Sequence, residues 1–143
     1  MSAEENKELA RRIVAALNAW DFEAMAALTS PDFIDHAGMP GQSPGLEGVR
    51  QRWAMMSSAL SDTSFEIHFS VAEGDLVSSW YTFRATHTGD LMGMPATGKS
   101  FEVPAIDMLR FENGKLAEHW GLFDMPLMMM QLGMMPGAPK EEP

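Results

Sequence analysis

Two residues in the last third of the chain carry side chains suited to proton transfer. Asp107 lies in the apolar segment Phe101 to Phe111, and His119 lies in the next such segment, Lys115 to Phe123. A carboxyl group taken out of water has its pKa raised toward neutrality, where imidazole already titrates, so the two together can serve as acid and base. Whether they meet depends on the link Glu112-Asn113-Gly114, a strong hairpin signal. Side chains alternate along strands, so loop length decides which residues share a face. With Asn113-Gly114 as a two-residue loop, Glu112 pairs with Lys115 and Asp107 falls opposite Trp120, on the other face from His119. With a three-residue loop and a left-handed Gly114, Phe111 pairs with Lys115 and Asp107 falls opposite His119. The second register is the expectation, because it also gathers Ala105, Ala117 and Gly121 beside the pair and leaves room for a ligand. The opposite face then carries Ile106, Met108, Trp120 and Leu122, an apolar patch of the kind that buries against another subunit. A plainer reading stands beside this one, in which Asp107 and His119 are a buried, mutually hydrogen-bonded structural pair.

Other candidates are weaker. His36, in Phe33-Ile34-Asp35-His36, borders a Gly- and Pro-rich loop and is a candidate for a pocket mouth, with an exposed or capping role equally open. Trp53, Tyr81 and Phe123 are candidate ligand-contacting residues, with ordinary core packing as the alternative for Trp53 and Tyr81. His68 alternates with apolar residues toward solvent and receives no role. No two histidines stand at helical or zinc-finger spacing, so no metal site is expected. A phosphate-cradling Gly-rich loop, His-Glu-x-x-His and Gly-x-Ser-x-Gly are all missing, which disfavours nucleotide and serine hydrolysis.

The 143 residues suit one domain, expected over 1–133 with a mobile tail over 134–143. Such a chain buries about 70% of its unfolded surface, enough for a core without disulfides. It contains no cysteine, which removes thiolate catalysis and cysteine metal sites. A formal net charge of −10 repels phosphate backbones and anionic membranes, so neither nucleic acid nor membrane is an expected partner. Ser2 to Arg12 is charged rather than apolar, and Met125 to Met135 is broken by Pro126, Gln131 and Gly133. A cytoplasmic protein is therefore the expectation. Of 14 methionines, six follow Leu122 and suit either an adaptable pocket or simple gap-filling.

The elements that must position these residues follow from periodicity. Ser2 and Glu5 form a capping box ahead of Leu9, Ile13, Leu17 and Trp20, a first amphipathic helix. Asp21 caps a second, short helix reaching about Leu28, and Phe33 to Ala37 is an extended edge segment. After an irregular loop, Leu46, Val49, Trp53, Met56 and Leu60 mark a third helix. Phe65, Ile67, Phe69 and Val71 then alternate with polar residues as a half-buried strand, and Gly74-Asp75 turns the chain into a long strand from Leu76 to Thr88. The Asp107 and His119 segments follow, and Pro126 to Leu132 forms a short closing helix. Helices first and antiparallel strands afterward give an α+β domain with helices on one face of a curved sheet.

The ordered features resemble the SnoaL-like polyketide cyclase or ester cyclase family, within the nuclear-transport-factor-2-like fold. The segments that carry the likeness are Pro31-Asp32-Phe33-Ile34-Asp35-His36, Gly45-Leu46-Glu47-Gly48-Val49, Thr86-His87-Thr88-Gly89 and Gly93-Met94-Pro95-Ala96-Thr97-Gly98-Lys99. The most specific are Ile106-Asp107-Met108-Leu109-Arg110, Asn113-Gly114-Lys115, Glu118-His119-Trp120 and Gln131-Leu132-Gly133. The resemblance implies a cone of three helices over a strongly curved antiparallel sheet, an apolar pocket between them, no cofactor, and a homodimer through sheet faces. In such cyclases an acidic residue removes a proton from an activated carbon and an intramolecular aldol reaction closes a ring. Their acid/base is an Asp two residues beyond the final-strand His, where this chain has Gly121. The expected function is thus acid/base chemistry on a hydrophobic carbonyl compound, with Asp107 as base and His119 as orienting or proton-donating partner. The alternative is a small-ligand-binding protein without catalysis, suggested by Gly121 and the methionine-rich end.

Overall fold

The computed structural model describes residues 2–134. Its elements run α1 (Ala3–Asn18), α2 (Phe22–Ala27), β1 (Thr29–Asp35), α3 (Gly45–Ala59), β2 (Leu60–Glu73), β3 (Leu76–His87), β4 (Ser100–Glu112), β5 (Lys115–Phe123) and α4 (Met125–Gln131). The helix starts follow from side-chain capping. Ser2 Oγ accepts from the Glu5 amide at 3.1 Å, and Asp21 accepts from Ala24 at 3.1 Å. Asp124 accepts from Leu127 at 3.0 Å, opening a closing helix with proline in its first turn. The expected tail lies outside the described residues from residue 135 onward.

The expected α+β class holds: helices cover one face of a curved five-stranded sheet ordered β1-β5-β4-β3-β2. Apolar residues of α1 and α3, including Leu9, Ile13, Val49 and Trp53, pack on Val77, Leu109, Phe111 and Leu116 of the inner face. A second cluster brings Phe65, Phe83 and Phe101 together with Met128 and Leu132 at the closing helix. One strand pair departs from the antiparallel expectation. The edge segment begins at Thr29 rather than Phe33, and it runs parallel to β5 with Asp35 beside His119.

The expected register of the β4–β5 hairpin is corrected. Glu112 pairs with Lys115 across a two-residue loop, and Asn113 and Gly114 have φ of 52° and 76°, the positive pair a type I′ turn requires. The register then shifts: Phe111 faces Leu116 but Arg110 faces Glu118, leaving Ala117 as the extra residue of a bulge. Asp107 consequently stands opposite Gly121, and Leu109 stands opposite His119. Asp107 and His119 are diagonal neighbours on one face rather than direct partners. A second shift in β2, between Ile67 and Phe69, turns Phe69 and Val71 outward, each 61% exposed, where strict alternation from Phe65 keeps them inward.

The turn conformation carries a measurable cost for any side chain at its second position. Gly114→Ala puts a Cβ into the left-handed region and should destabilise the domain by about 1 kcal/mol, lowering Tm by roughly 4 °C in a thermal melt.

Candidate functional site

Between the helices and the inner face of the sheet lies a cavity of about 430 Å³. Its polar lining consists of Arg52 from α3, Tyr81 from β3, Asp107 from β4 and His119 from β5. The remaining wall is apolar and includes seven methionines: Met25, Met39, Met55, Met56, Met92, Met125 and Met128. Unbranched, polarizable side chains of this kind reshape readily around an apolar guest. Trp53 and Phe123 also line the cavity, so five of the six candidates from sequence, Asp107, His119, Trp53, Tyr81 and Phe123, converge on one space.

His36 is not among the lining residues. Its ring stacks on Trp120 at 4.6 Å with planes 6° apart, and its Nε2 lies 3.4 Å from Glu118 Oε1. The cause is strand alternation. Asp35 takes the place beside His119, and the next residue turns toward Trp120 and Glu118.

Asp107 is enclosed with little to offset the loss of water. Its Oδ1 accepts one backbone bond, from the Ser79 amide at 3.2 Å. Burial pushes its pKa up to about 6, against the smaller opposing influences of His119 and the Ser79 amide. Tyr81 is raised above the ordinary phenol value by burial and by the nearby Asp107 charge, so it remains a hydroxyl donor at neutral pH.

Asp35 is buried too, with a side chain 3% exposed, but it is amply paired. Arg52 Nη1 donates to its Oδ2 at 2.7 Å, its Oδ1 lies 3.0 Å from His119 Nδ1, and the same Oδ1 accepts from the Ala37 amide at 3.0 Å. Burial alone raises its pKa, yet His119 and Arg52 outweigh that and hold the carboxyl well below the usual range. Neither Asp35 nor Arg52 is among the candidates from sequence. Asp35 adjoins His36 in the family-like segment, and Arg52 lies three residues after Val49 on the inward side of the third helix. Among the described residues no group of three or more His, Asp or Glu is arranged to hold a metal, and no helix is long and apolar enough to cross a membrane.

The burial of Asp107 sets a pH signature. The folded protein keeps a proton there that the unfolded chain releases between about pH 4 and 6, so stability falls as pH rises through that window. The cost above the window is on the order of 2 kcal/mol. Asp107→Asn, which still offers an oxygen to Ser79, should melt above the wild type at about pH 7.5, with the gain fading toward about pH 4. An offset independent of pH would show that Asp107 titrates as an ordinary surface carboxylate.

Comparison with known proteins shows the family. The profile of the family described as SnoaL-like polyketide cyclase matches residues 7–132. Aklanonic acid methyl ester cyclase DnrD of Streptomyces peucetius is 27% identical over 116 residues, covering 78% of this chain and 79% of the relative. Among solved structures, TsrD of Streptomyces laurentii superposes with a TM-score of 0.85 at 28% identity, covering 94% of this chain and 99% of that one. AclR of Streptomyces galilaeus does so with a TM-score of 0.84 at 31% identity, covering 97% of this chain and 87% of that one. With a family match over nearly its whole length and the α+β cavity in place, this chain belongs to the SnoaL-like polyketide cyclase family.

Proposed function

We propose that the protein is a cofactor-independent cyclase acting on a hydrophobic carbonyl compound, with Asp107 and His119 as its acid/base pair. The observation that carries this reading is the contrast within one cavity: four polar side chains in an otherwise apolar wall, one of them a carboxyl group raised to about 6. A group at that value is ionised at neutral pH yet basic enough to take a proton from carbon. Asp107 removes a proton from a carbon flanked by carbonyls. The enolate carbon then forms a bond to a second carbonyl carbon of the same molecule, whose π pair moves to its oxygen. The proton held by Asp107 passes to His119 Nε2 and from there to that oxygen. The product is an isomer of the substrate, so no oxidant or co-reactant is consumed. Tyr81 offers a hydroxyl donor to the enolate oxygen.

The cyclase relative supplies a probe, aklanonic acid methyl ester. Conversion is expected, with a rate that rises as pH passes about 6, and Asp107→Asn should lose about 100-fold or more in kcat. Unchanged turnover in that variant overturns the assignment. The seven cavity methionines favour a second reading, retention of an apolar ligand without conversion. Native mass spectrometry then shows bound, unaltered ligand.

The outer face supports a homodimer. Cross-strand rows Phe69–Trp80–Ile106–Leu122 and Val71–Ser78–Met108–Trp120 make a contiguous, largely apolar surface. Ion pairs flank it, Arg84 with Glu66 and Glu102 at one end and Arg110 with Glu118 and Glu112 at the other. Such a face, apolar within and charged at its rim, suits a second copy of the chain. Met108→Glu should convert a dimer to a monomer in sedimentation velocity, whereas a wild type that sediments as a monomer overturns the proposal.

A further inference from the structure

We propose that Asp35, braced by Arg52, is a positioning residue that keeps the proton of neutral His119 on Nδ1 and turns Nε2 toward the cavity, and that Gly121 is the space that admits the ring. The inference rests on the acid/base reading above and supplies what that reading lacks, a reason for one end of His119 to face the substrate.

Three observations carry it. First, Asp35 stands beside His119 in the parallel β1–β5 pairing, with its Oδ1 3.0 Å from Nδ1. An ionised carboxylate only accepts hydrogen bonds, so Nδ1 is the donor and the proton of the neutral ring resides there. Second, Arg52 lies 2.7 Å from the other oxygen of Asp35. It neutralises the carboxylate, so the pair adds no net charge to an apolar wall, and it fixes the plane in which Asp35 meets the ring. Third, a Cβ built on Gly121 falls 2.8 Å from His119 Nε2 and 3.1 Å from Cε1. The free edge of the imidazole therefore lies over residue 121, opposite Asp107, and any side chain there displaces it. Gly121 lines the cavity with His119, so the lone pair that Asp35 leaves on Nε2 is presented where a ligand sits.

Ring-nitrogen NMR of protein carrying 15N-histidine reads the tautomer directly and needs no substrate. Spectra are recorded at about pH 8.5, above the ordinary imidazole range. Signals of His119 are assigned by their loss in His119→Asn. The wild type should show a protonated Nδ1 and a bare Nε2. Asp35→Ala should move His119 toward the Nε2-protonated form. Gly121→Ala, which leaves the Asp35–Arg52 pair intact, should do the same by pushing the ring away. Both variants should lose about 10- to 100-fold in kcat with KM little changed, the range for outer partners that orient a histidine. Circular dichroism confirms that each variant folds, and should Asp35→Ala fail to fold, Gly121→Ala carries the test alone. A wild-type His119 protonated at Nε2, or a tautomer unmoved in the folded variants, overturns the proposal. The expected tautomer together with unimpaired turnover in Asp107→Asn overturns the acid/base reading instead and leaves the positioning intact.

Discussion

A strand gives each residue one of two faces, and the site exists because β5 changes faces once within its length. Counting back from the Glu112–Lys115 pair without an extra residue sets Trp120 against Asp107 and turns His119 outward. A bulky indole then occupies the cavity beside the carboxyl group. The extra residue at Ala117 exchanges the two: Trp120 joins the outer face and His119 joins the inner one, where Leu109 and Asp107 already point. The bulge in β2 does related work, sending Phe69 and Val71 outward to extend the apolar rows that include Trp120. Bulges near sites re-aim side chains at the cost of a local ladder bond, and here two of them shape both faces of one sheet.

The second constraint is electrostatic and concerns two carboxyl groups in neighbouring surroundings. Asp35 gains Arg52, the Nδ1 edge of His119 and the Ala37 amide, and it is held ionised far below neutrality. Asp107 gains one backbone amide and remains among apolar side chains, so its proton is retained to about pH 6. Burial acts on both in the same direction, and the partners decide the outcome. Their environments drive the two groups apart, leaving Asp35 a fixed charge and Asp107 a carboxyl group that titrates near 6. His119 touches the fixed charge through Nδ1, and the free edge of its ring lies by Gly121 at the cavity wall.

Much of this was legible from sequence, and the failures have physical causes. Capping residues Ser2 and Asp21 and the apolar stripes of α1 and α3 are local signals that lie at their helices, except that Trp20 falls beyond α1 and Leu60 opens β2; Asn113 and Gly114 do form the turn, with two residues instead of the expected three. Asp107 and His119 share a face as expected, although through a different pairing. A three-residue loop and a two-residue loop followed by a bulge both change the parity once, so face membership survives an error in register. Asp35 and Arg52 were invisible for another reason. The Asp35–His119 contact spans 84 positions of sequence and depends on a parallel pairing of β1 with β5, which no turn or alternation announces. His36 drew attention because of its ring, and the strand's alternation directs it to Trp120 instead.

The two faces of the sheet are mechanically joined at β5. The His36 amide donates to the His119 carbonyl at 2.8 Å while the His36 ring stacks on Trp120, so the outer indole, the β1 edge and the cavity-face imidazole form one connected unit. Asp35, one residue back, closes the circuit through the His119 ring, and Arg52 ties it to α3. An edge strand is ordinarily the least restrained part of a sheet. Here its last residues are held by a helix, by a neighbouring backbone and by an aromatic stack on the opposite face. The geometry of Asp35 toward His119 therefore depends on packing at Trp120 as well as on the cavity. A side chain outside the cavity thus contributes to the placement of one that lines it.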